Sequence, residues 1–227
     1  QELYCIETLA RVDTLCLDKT GTITEGSMRV EKIELLEKEE DSWDSEKVSR
    51  VMGNLMGVLQ DENATSDAMR EHFKVRRDFV LNHRIPFSSE RKYSGACYED
   101  GTYFIGAAQF LFPEGEEELL EKCSRYSQEG LRILVLAYSP DKNRSTELPE
   151  GLRPYALLLL TDVIRQEAPE TLQFFAKQGV DLKVISGDDP VTVSAIAKKA
   201  GLENAENYIN ATTIQTEEEM ARAVASC

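Results

Sequence analysis

The stretch that decides the fold is Val12-Asp13-Thr14-Leu15-Cys16-Leu17-Asp18-Lys19-Thr20-Gly21-Thr22-Ile23-Thr24. Residues 12–17 read as a buried strand that stops at Asp18. Two further apolar runs share this plan. Residues 155–160 lead to Thr161 and Asp162, and residues 182–185 lead to Ser186, Gly187 and Asp188. All three are expected to be parallel strands of one α/β sheet. Ligands of such sheets sit outside the carboxyl ends of the strands, so the three aspartates are expected to converge on one site.

Helical patterns follow the second and third runs. Ala168-Pro169 opens a segment with Leu172, Phe175 and Ala176 on one face, closed by Gly179; Pro190 opens another with Val193, Ile196, Ala197 and Ala200, closed by Gly201. Residues 31–150 have a different character. Helices are expected over 46–59, 66–73 and 116–128, the last with Leu119, Leu120, Cys123 and Tyr126 inward. Residues 91–96 and 102–106, joined through Glu99-Asp100-Gly101, are expected to form a hairpin, and 131–138 a further strand. The expected organisation is therefore a discontinuous α/β domain, 1–30 with 151–227, interrupted by an α+β domain at 31–150. Such an insertion requires its two junctions to lie close together.

Composition narrows the function classes. The 227 residues carry a formal charge of −15, of which −9 lies in 31–150. Gripping a phosphate backbone needs a basic face that releases counterions, so nucleic acid is not an expected partner. No apolar run approaches the roughly 18–20 residues that cross a bilayer. Five cysteines (Cys5, Cys16, Cys97, Cys123 and Cys227) contain no Cys-x-x-Cys pair and match no disulfide framework or zinc site. His72 and His83 have no ligand-spaced neighbours. Lacking an initiator methionine, the chain reads as a piece of a longer protein.

The chemistry is concentrated after the first strand. A carboxylate at a strand end, followed by hydroxylated residues and a glycine, offers a nucleophile beside amides and hydroxyls that cradle an anion. The chemistry suggested is phosphoryl transfer onto Asp18. Asp18-Lys19-Thr20-Gly21-Thr22-Ile23-Thr24 resembles the phosphorylation signature of P-type cation-transporting ATPases of the haloacid dehalogenase-like superfamily. The resemblance implies a Rossmann-like parallel sheet carrying Asp18, with an inserted nucleotide-binding domain built on an antiparallel sheet. Plain phosphatases of the superfamily place a second aspartate two residues after the nucleophile, as the acid/base that hydrolyses the phosphoaspartate. Here that position holds Thr20, which favours a long-lived intermediate over the alternative of a soluble phosphatase.

The resemblance extends over essentially the whole chain. Phe87-Ser88-Ser89-Glu90-Arg91-Lys92 is similar to the motif whose phenylalanine stacks on adenine, with Arg91 and Lys92 beside it. Gly130-Leu131-Arg132 is similar to the segment whose arginine contacts nucleotide phosphates, and Asn63-Ala64-Thr65-Ser66 to an adenine-side motif. Asp162-Val163-Ile164-Arg165 resembles the Asp-Pro-Pro-Arg hinge with both prolines replaced, keeping the charges of Asp162 and Arg165 but not the stiffness. Ser186-Gly187-Asp188 resembles Thr-Gly-Asp, which implies a phosphoryl-oxygen role for Ser186 and a nucleotide-side role for Asp188; Asp188 is also a candidate cap for the following helix. The implied catalytic set is Asp18, Lys19, Thr20, Thr22 and Ser186. ATP is the implied ligand, and Mg2+ the implied cofactor, bound through the Asp18 carboxylate and the Thr20 carbonyl.

Two departures stand out. Ile105-Gly106-Ala107-Ala108-Gln109 replaces the family's Lys-Gly-Ala-Pro-Glu, keeping Gly106 but losing the adenine-pocket lysine; a pocket blocked by Ile105 would favour a non-catalytic nucleotide-binding module. The downstream lysine and second magnesium carboxylate of the family are also not in this sequence. In the whole protein the implied partners are its own transmembrane helices and actuator domain, placing this piece on the cytoplasmic side of the cell membrane. Heavy-metal pumps carry a His-Pro pair that His72 and His83 do not form, and the pattern is most similar to bacterial calcium-type pumps, with Ca2+ bound elsewhere. With the phosphoryl charge only partly balanced, the 227-residue chain is expected to bind nucleotide weakly and to turn over ATP negligibly. A coupled-enzyme assay checks this: steady magnesium-dependent hydrolysis that Asp18→Asn abolishes is the contrary result.

Overall fold

A computed structural model describes residues 12–36, 43–142 and 145–226. Cys5 and Cys227 lie outside them; Cys16, Cys97 and Cys123 are free thiols. The chain divides into two compact units. One comprises Gln1–Gly26, Gln128–Gly130 and Asp162–Cys227, the other Ser27–Ser127 and Leu131–Thr161.

In the first unit, β1 (Thr14–Asp18) pairs in parallel with β8 (Asp181–Ile185), placing Asp18 opposite Ile185. The α5 helix (Ala168–Lys177) has proline in its first turn and is followed by Gly179 at φ +79°, a left-handed residue that closes a helix at little cost when it is glycine. The α6 helix (Pro190–Lys199) follows β8, and α7 (Glu217–Ser226) comes last. Ile23, Ala168, Leu172 and Ala200 form the core, with Leu17, Ile164, Leu182 and Val184 packed against it. Ile23 thus anchors the end of the loop that begins at Lys19.

The second unit is built on six strands. They are β2 (Thr24–Leu35), β3 (Leu81–Ile85), β4 (Tyr93–Tyr98), β5 (Gly101–Gly106), β6 (Arg132–Ser139) and β7 (Arg153–Ile164), in the spatial order β2-β7-β6-β5-β4-β3. The ladders from β3 through β7 are antiparallel. The chain leaves one unit for the other within β2 and within β7. Helices α1 (Ser45–Val58) and α2 (Ala64–Phe73) supply Val48, Val51, Met52, Leu55, Ala68 and Met69 to a core shared with Tyr98, Tyr103 and Ile105. A second core joins Phe104, Val135 and Ala137 to the short α3 (Ala108–Leu111) and to Leu119 of the amphipathic α4 (Glu117–Gln128), with Leu120, Cys123 and Tyr126 packed alongside.

The run 155–160 is not a parallel strand. It lies within β7 and pairs antiparallel with β6, from Arg132↔Leu160 to Leu136↔Ala156. The cause is burial on both faces: Ala156, Leu158 and Leu160 enter one core while Leu157 and Leu159 enter the other. Any strand covered on both sides becomes continuously apolar, whatever the direction of its neighbours. The β2 strand carries a different pattern, TEGSMRVEKIEL, because half of its side chains are exposed; it forms an edge of the sheet.

Helix α1 presents an unusually bare face. A Cβ at Gly53 would lie 2.8 Å from the Lys74 carbonyl oxygen, and one at Gly57 2.1 Å from that of Arg76. Arg76 donates its amide to the Gly53 carbonyl at 2.9 Å. The buried Asn54 accepts from the amides of Asp78 and Phe79 at 2.8 and 3.0 Å. This fastens the connection from α2 to β3 directly onto the helix backbone.

Glu34 ties β2 to α4. Its carboxylate accepts from the Tyr126 hydroxyl, pairs with the Lys122 ammonium and accepts from Lys32 at 3.2 Å. Partial burial favours the protonated form, but the hydrogen bonds from Lys122, Tyr126 and Lys32 outweigh it and hold the pKa at about 2. A depressed carboxylate pKa stabilises the fold above the ordinary carboxylate range, and that contribution is lost as the pH falls towards 2. Glu34→Gln is expected to lower stability at pH 7 by on the order of 2–3 kcal/mol. Urea melts at pH 7 and near pH 2 check this, because the difference between the two proteins should vanish at the lower pH.

Candidate active site

The β1 strand delivers Asp18 to its carboxyl end in extended conformation, φ −72° and ψ 142°, with the side chain exposed and making no hydrogen bond to the turn that follows. One residue on, the side chain of Lys19 is 3% exposed. Alternation along the strand separates an outward carboxylate from an inward ammonium. Gly21 adopts φ +79°, the left-handed region that disfavours any residue with a Cβ, and so turns the loop back. Thr24 closes it, donating its amide and, at 3.3 Å, its hydroxyl to the Lys19 carbonyl. Thr20 and Thr22 are exposed along the loop.

The segment after β7 grips this loop. Arg165 donates from Nε and Nη2 to the Gly21 carbonyl at 3.3 and 2.9 Å, and its own amide bonds the Ile23 carbonyl at 3.0 Å. Lys19 Nζ lies 2.9 Å from Asp162 Oδ2 and 2.6 Å from Asp188 Oδ2. Burial alone would lower the Lys19 pKa; the hydrogen bonds that the ammonium donates to Asp188 and Asp162 reverse this and raise it, so the ammonium stays charged. Asp162 and Asp188 thus meet at one lysine adjacent to Asp18, even though β7 belongs to the other sheet. Ser186, just past the end of β8, accepts the Asp188 amide at 3.2 Å. The cap of α6 is Asp189, which accepts from the Thr192 amide at 3.1 Å, and not Asp188, whose carboxylate is turned to Lys19.

The second unit holds the remaining predicted residues in two groups. Phe87 stands 46% exposed on the turn between β3 and β4. That turn is closed by Ser88, whose hydroxyl accepts from the amides of Glu90 and Arg91 and whose carbonyl accepts from Lys92 at 2.7 Å. Arg91 folds back on the turn, donating to the Pro86 carbonyl at 3.0 Å with its guanidinium over the Tyr93 ring, while Lys92 is exposed. Gly106 touches the same turn: a Cβ there would sit 2.5 Å from Tyr93 Cβ and 2.7 Å from the Lys92 carbonyl oxygen. In the other group, Asn63 caps α2 by accepting the Ser66 amide at 3.0 Å, and Arg132 donates to the Thr65 hydroxyl at 2.7 Å. Ile105 is 4% exposed and belongs to the core with Tyr103 and Met28.

Sequence reasoning gave no role to Thr65, and 67 positions of separation hide its bond to Arg132. The two-carboxylate environment of Lys19 was equally hidden, since its partners lie 143 and 169 residues away. Among the described residues no group of three or more His, Cys, Asp or Glu could hold a metal ion. A lone exposed carboxylate does fit Mg2+, which keeps several waters and is completed by substrate phosphates instead of an all-protein cage.

Comparison with known proteins gives the family and the fold. The model of the haloacid dehalogenase-like hydrolases matches residues 12–223. The "Probable cation-transporting ATPase exp7" of Streptococcus pneumoniae serotype 4 is 41% identical over 226 residues, covering 98% of this chain and 28% of that protein. The "Calcium-transporting ATPase CtpE" of Mycobacterium tuberculosis is 38% identical over 203 residues, covering 89% and 25%. The chain thus spans about a quarter of the length of these relatives. In fold it is similar to the crystal structure of a zinc-transporting PIB-type ATPase in the E2.Pi state, with a TM-score of 0.66 at 18% identity, covering 87% of this chain and 29% of that one. No described helix is long and apolar enough to cross a membrane. With a family match that runs over residues 12–223, the chain belongs to the haloacid dehalogenase-like hydrolases.

Proposed function

We propose that this chain is the cytoplasmic catalytic segment of a P-type, ATP-driven cation pump of the cell membrane. Its phosphorylation domain corresponds to the unit of Gln1–Gly26, Gln128–Gly130 and Asp162–Cys227 and its nucleotide-binding domain to that of Ser27–Ser127 and Leu131–Thr161, so the expected boundary at 150/151 moves to the far end of β7, whose residues up to Thr161 belong with the antiparallel sheet. The observation that carries this reading is the exposed Asp18 carboxylate on a loop fixed by Arg165 and Lys19, with Thr20 in place of a second acid. ATP stacks its adenine on Phe87 beside Gly106, with Arg91, Lys92 and Asn63 around it and Arg132 on the phosphates. An Asp18 oxygen attacks the γ-phosphorus: the new O–P bond forms as the bond to the bridging oxygen breaks, and ADP leaves with that electron pair. Mg2+, when held by the Asp18 carboxylate and the Thr20 carbonyl, supplies neutralisation of the phosphoryl charge. Ser186 and Thr22 donate to phosphoryl oxygens, and the Gly21 turn brings main chain close to them.

Thr20 has no carboxylate with which to activate water, so the aspartyl-phosphate persists long enough to be coupled to cation movement. Asp162 and Arg165 act as the hinge. The name of the CtpE relative favours Ca2+ as the transported ion, bound outside this segment.

Two experiments follow. Isothermal titration of the chain with ATP is expected to give weak binding that Phe87→Ala weakens by about 1–3 kcal/mol, roughly 5- to 150-fold in Kd; absence of binding by the unsubstituted chain contradicts the assignment of the inserted domain. In the whole protein that carries this chain, radiolabelled ATP is expected to give a hydroxylamine-sensitive phosphoenzyme that Asp18→Asn removes. Thr20→Asp is expected to shorten the lifetime of that label by about 100-fold or more, by supplying the missing general base.

A further inference from the structure

The segment from Lys74 to Arg84 differs in chemistry from the rest of this acidic chain. It sets Lys74, Arg76, Arg77 and Arg84 against the single carboxylate of Asp78, in a chain whose formal charge is −15. All five side chains are exposed. Asp78 pairs with Arg50 and Arg76 at 3.5 and 3.6 Å, whereas Lys74, Arg77 and Arg84 pair with no carboxylate among the described residues. Apolar side chains stand among these cations: Val75, Val80 and Leu81 are 51%, 60% and 42% exposed. The backbone beneath them is fixed, since the amides of Arg76, Asp78 and Phe79 are bonded to α1 and Phe79 packs against the core. The segment runs into β3, the last strand in the sheet order, which pairs with β4 on one side only. A shift of register between Leu81 and His83 leaves Leu81 opposite Tyr98 and Arg84 opposite Ala96, so both fall on the same face of the sheet. The free side of β3 presents main-chain donors and acceptors to which no described strand pairs.

We propose that the connection from α2 to β3, together with the free edge of β3, is a docking surface for an acidic, extended segment of a partner protein, which adds to the sheet as a further strand beside β3. Main-chain bonds to the edge hold the incoming strand; its carboxylates meet Lys74, Arg77 and Arg84, and apolar residues between them cover Val80 and Leu81. Charge on a short, bulged edge strand also guards against unwanted pairing. Such a guard, however, needs no exposed valine and leucine beside it and no connection clamped to a helix backbone. An anionic lipid surface has no use for the ladder groups of β3. A second copy of the chain brings −15 against −15, whereas a short acidic segment brings only the charges that the strip matches. Because the path of the strip is set before anything binds, little ordering on this side opposes association.

The test titrates the 227-residue chain with a synthetic peptide in which glutamate alternates with valine over about eight residues, the length of an ordinary strand, and follows the amide resonances. Saturable binding is expected, with the largest shifts at residues 74–85 and with exchange of the β3 amides slowed at least about fivefold as the new ladder forms. Arg77→Glu and Arg84→Glu are each expected to weaken binding at least about tenfold, as is salt at about 1 M. The same peptide with proline at every other position cannot extend a ladder and is expected not to bind. Amide spectra check that the variants are folded; should Arg84→Glu not fold, Arg77→Glu carries the comparison. Absence of saturable binding, unslowed β3 exchange, undiminished affinity in the folded variants or equal binding of the proline peptide overturns the proposal. Greater protection of the strip by vesicles of phosphatidylserine and phosphatidylcholine, or by raising the concentration of the chain itself, also overturns it, and assigns the surface to a membrane or to a second copy. No step involves nucleotide, so the outcome is separate from that of the Asp18 reading.

Discussion

One strand sets the terms for the rest of the molecule. From Tyr155 to Leu160 every side chain of β7 is buried, and from Ala156 onward odd and even positions enter opposite cores. Burying five aliphatic or alanine side chains in succession removes several hundred Å2 of apolar surface from water, worth on the order of 10 kcal/mol before entropy is charged against it. A strand held this firmly has little freedom of register, since a slip of one residue would exchange every contact on both faces. Beyond Thr161 the same strand continues through Asp162 and Ile164 to Arg165, which belong to the other unit and contact the nucleophile loop there.

At that loop the balance of forces changes from apolar to electrostatic. Lys19 is nearly inaccessible, and an ammonium loses its hydration there; two carboxylates compensate, one from β7 and one from the β8 loop. This contact joins three separate segments. The bonds from Arg165 to Gly21 and Ile23 complete the hold with main-chain acceptors, which keep their positions when side chains change. Asp18 itself takes no part in the network and remains exposed, which is what an attacking group needs.

The sequence made some of this plain and concealed the rest, for identifiable reasons. The heptapeptide beginning at Asp18, the helices after Pro169 and Pro190, the inward face of α4 and the β4–β5 hairpin all follow from local signals: caps, turn residues and 3.6-residue spacing. The direction of β7 did not, because two-sided burial erases the alternation that distinguishes an antiparallel strand. The long edge strand β2 was missed because its charged residues read as solvent-facing, which most of them are. At the site, Asp18, Asp162 and Asp188 stood out as strand-end carboxylates, but their meeting point at Lys19 depends on tertiary folding. Asp189 takes the α6 cap in place of Asp188 for the same reason: adjacent aspartates look alike until one finds a distant cation.

The bare face of α1 carries a consequence of another kind. Gly53 and Gly57 weaken the helix by about 1 kcal/mol each relative to alanine, and in exchange the connection from α2 to β3 lies against helix backbone with no layer of side chains between them. Its residues from Lys74 to Asp78 are exposed, so a map of surface exposure would class it as an ordinary loop, although the Arg76 stem lies against Gly53 and Asp78 pairs with Arg50 of the helix. Three of its amides, those of Arg76, Asp78 and Phe79, are nevertheless bonded to Gly53 and Asn54. The segment is thus exposed yet fixed in path: the line it follows to β3 is set by two missing methyl groups.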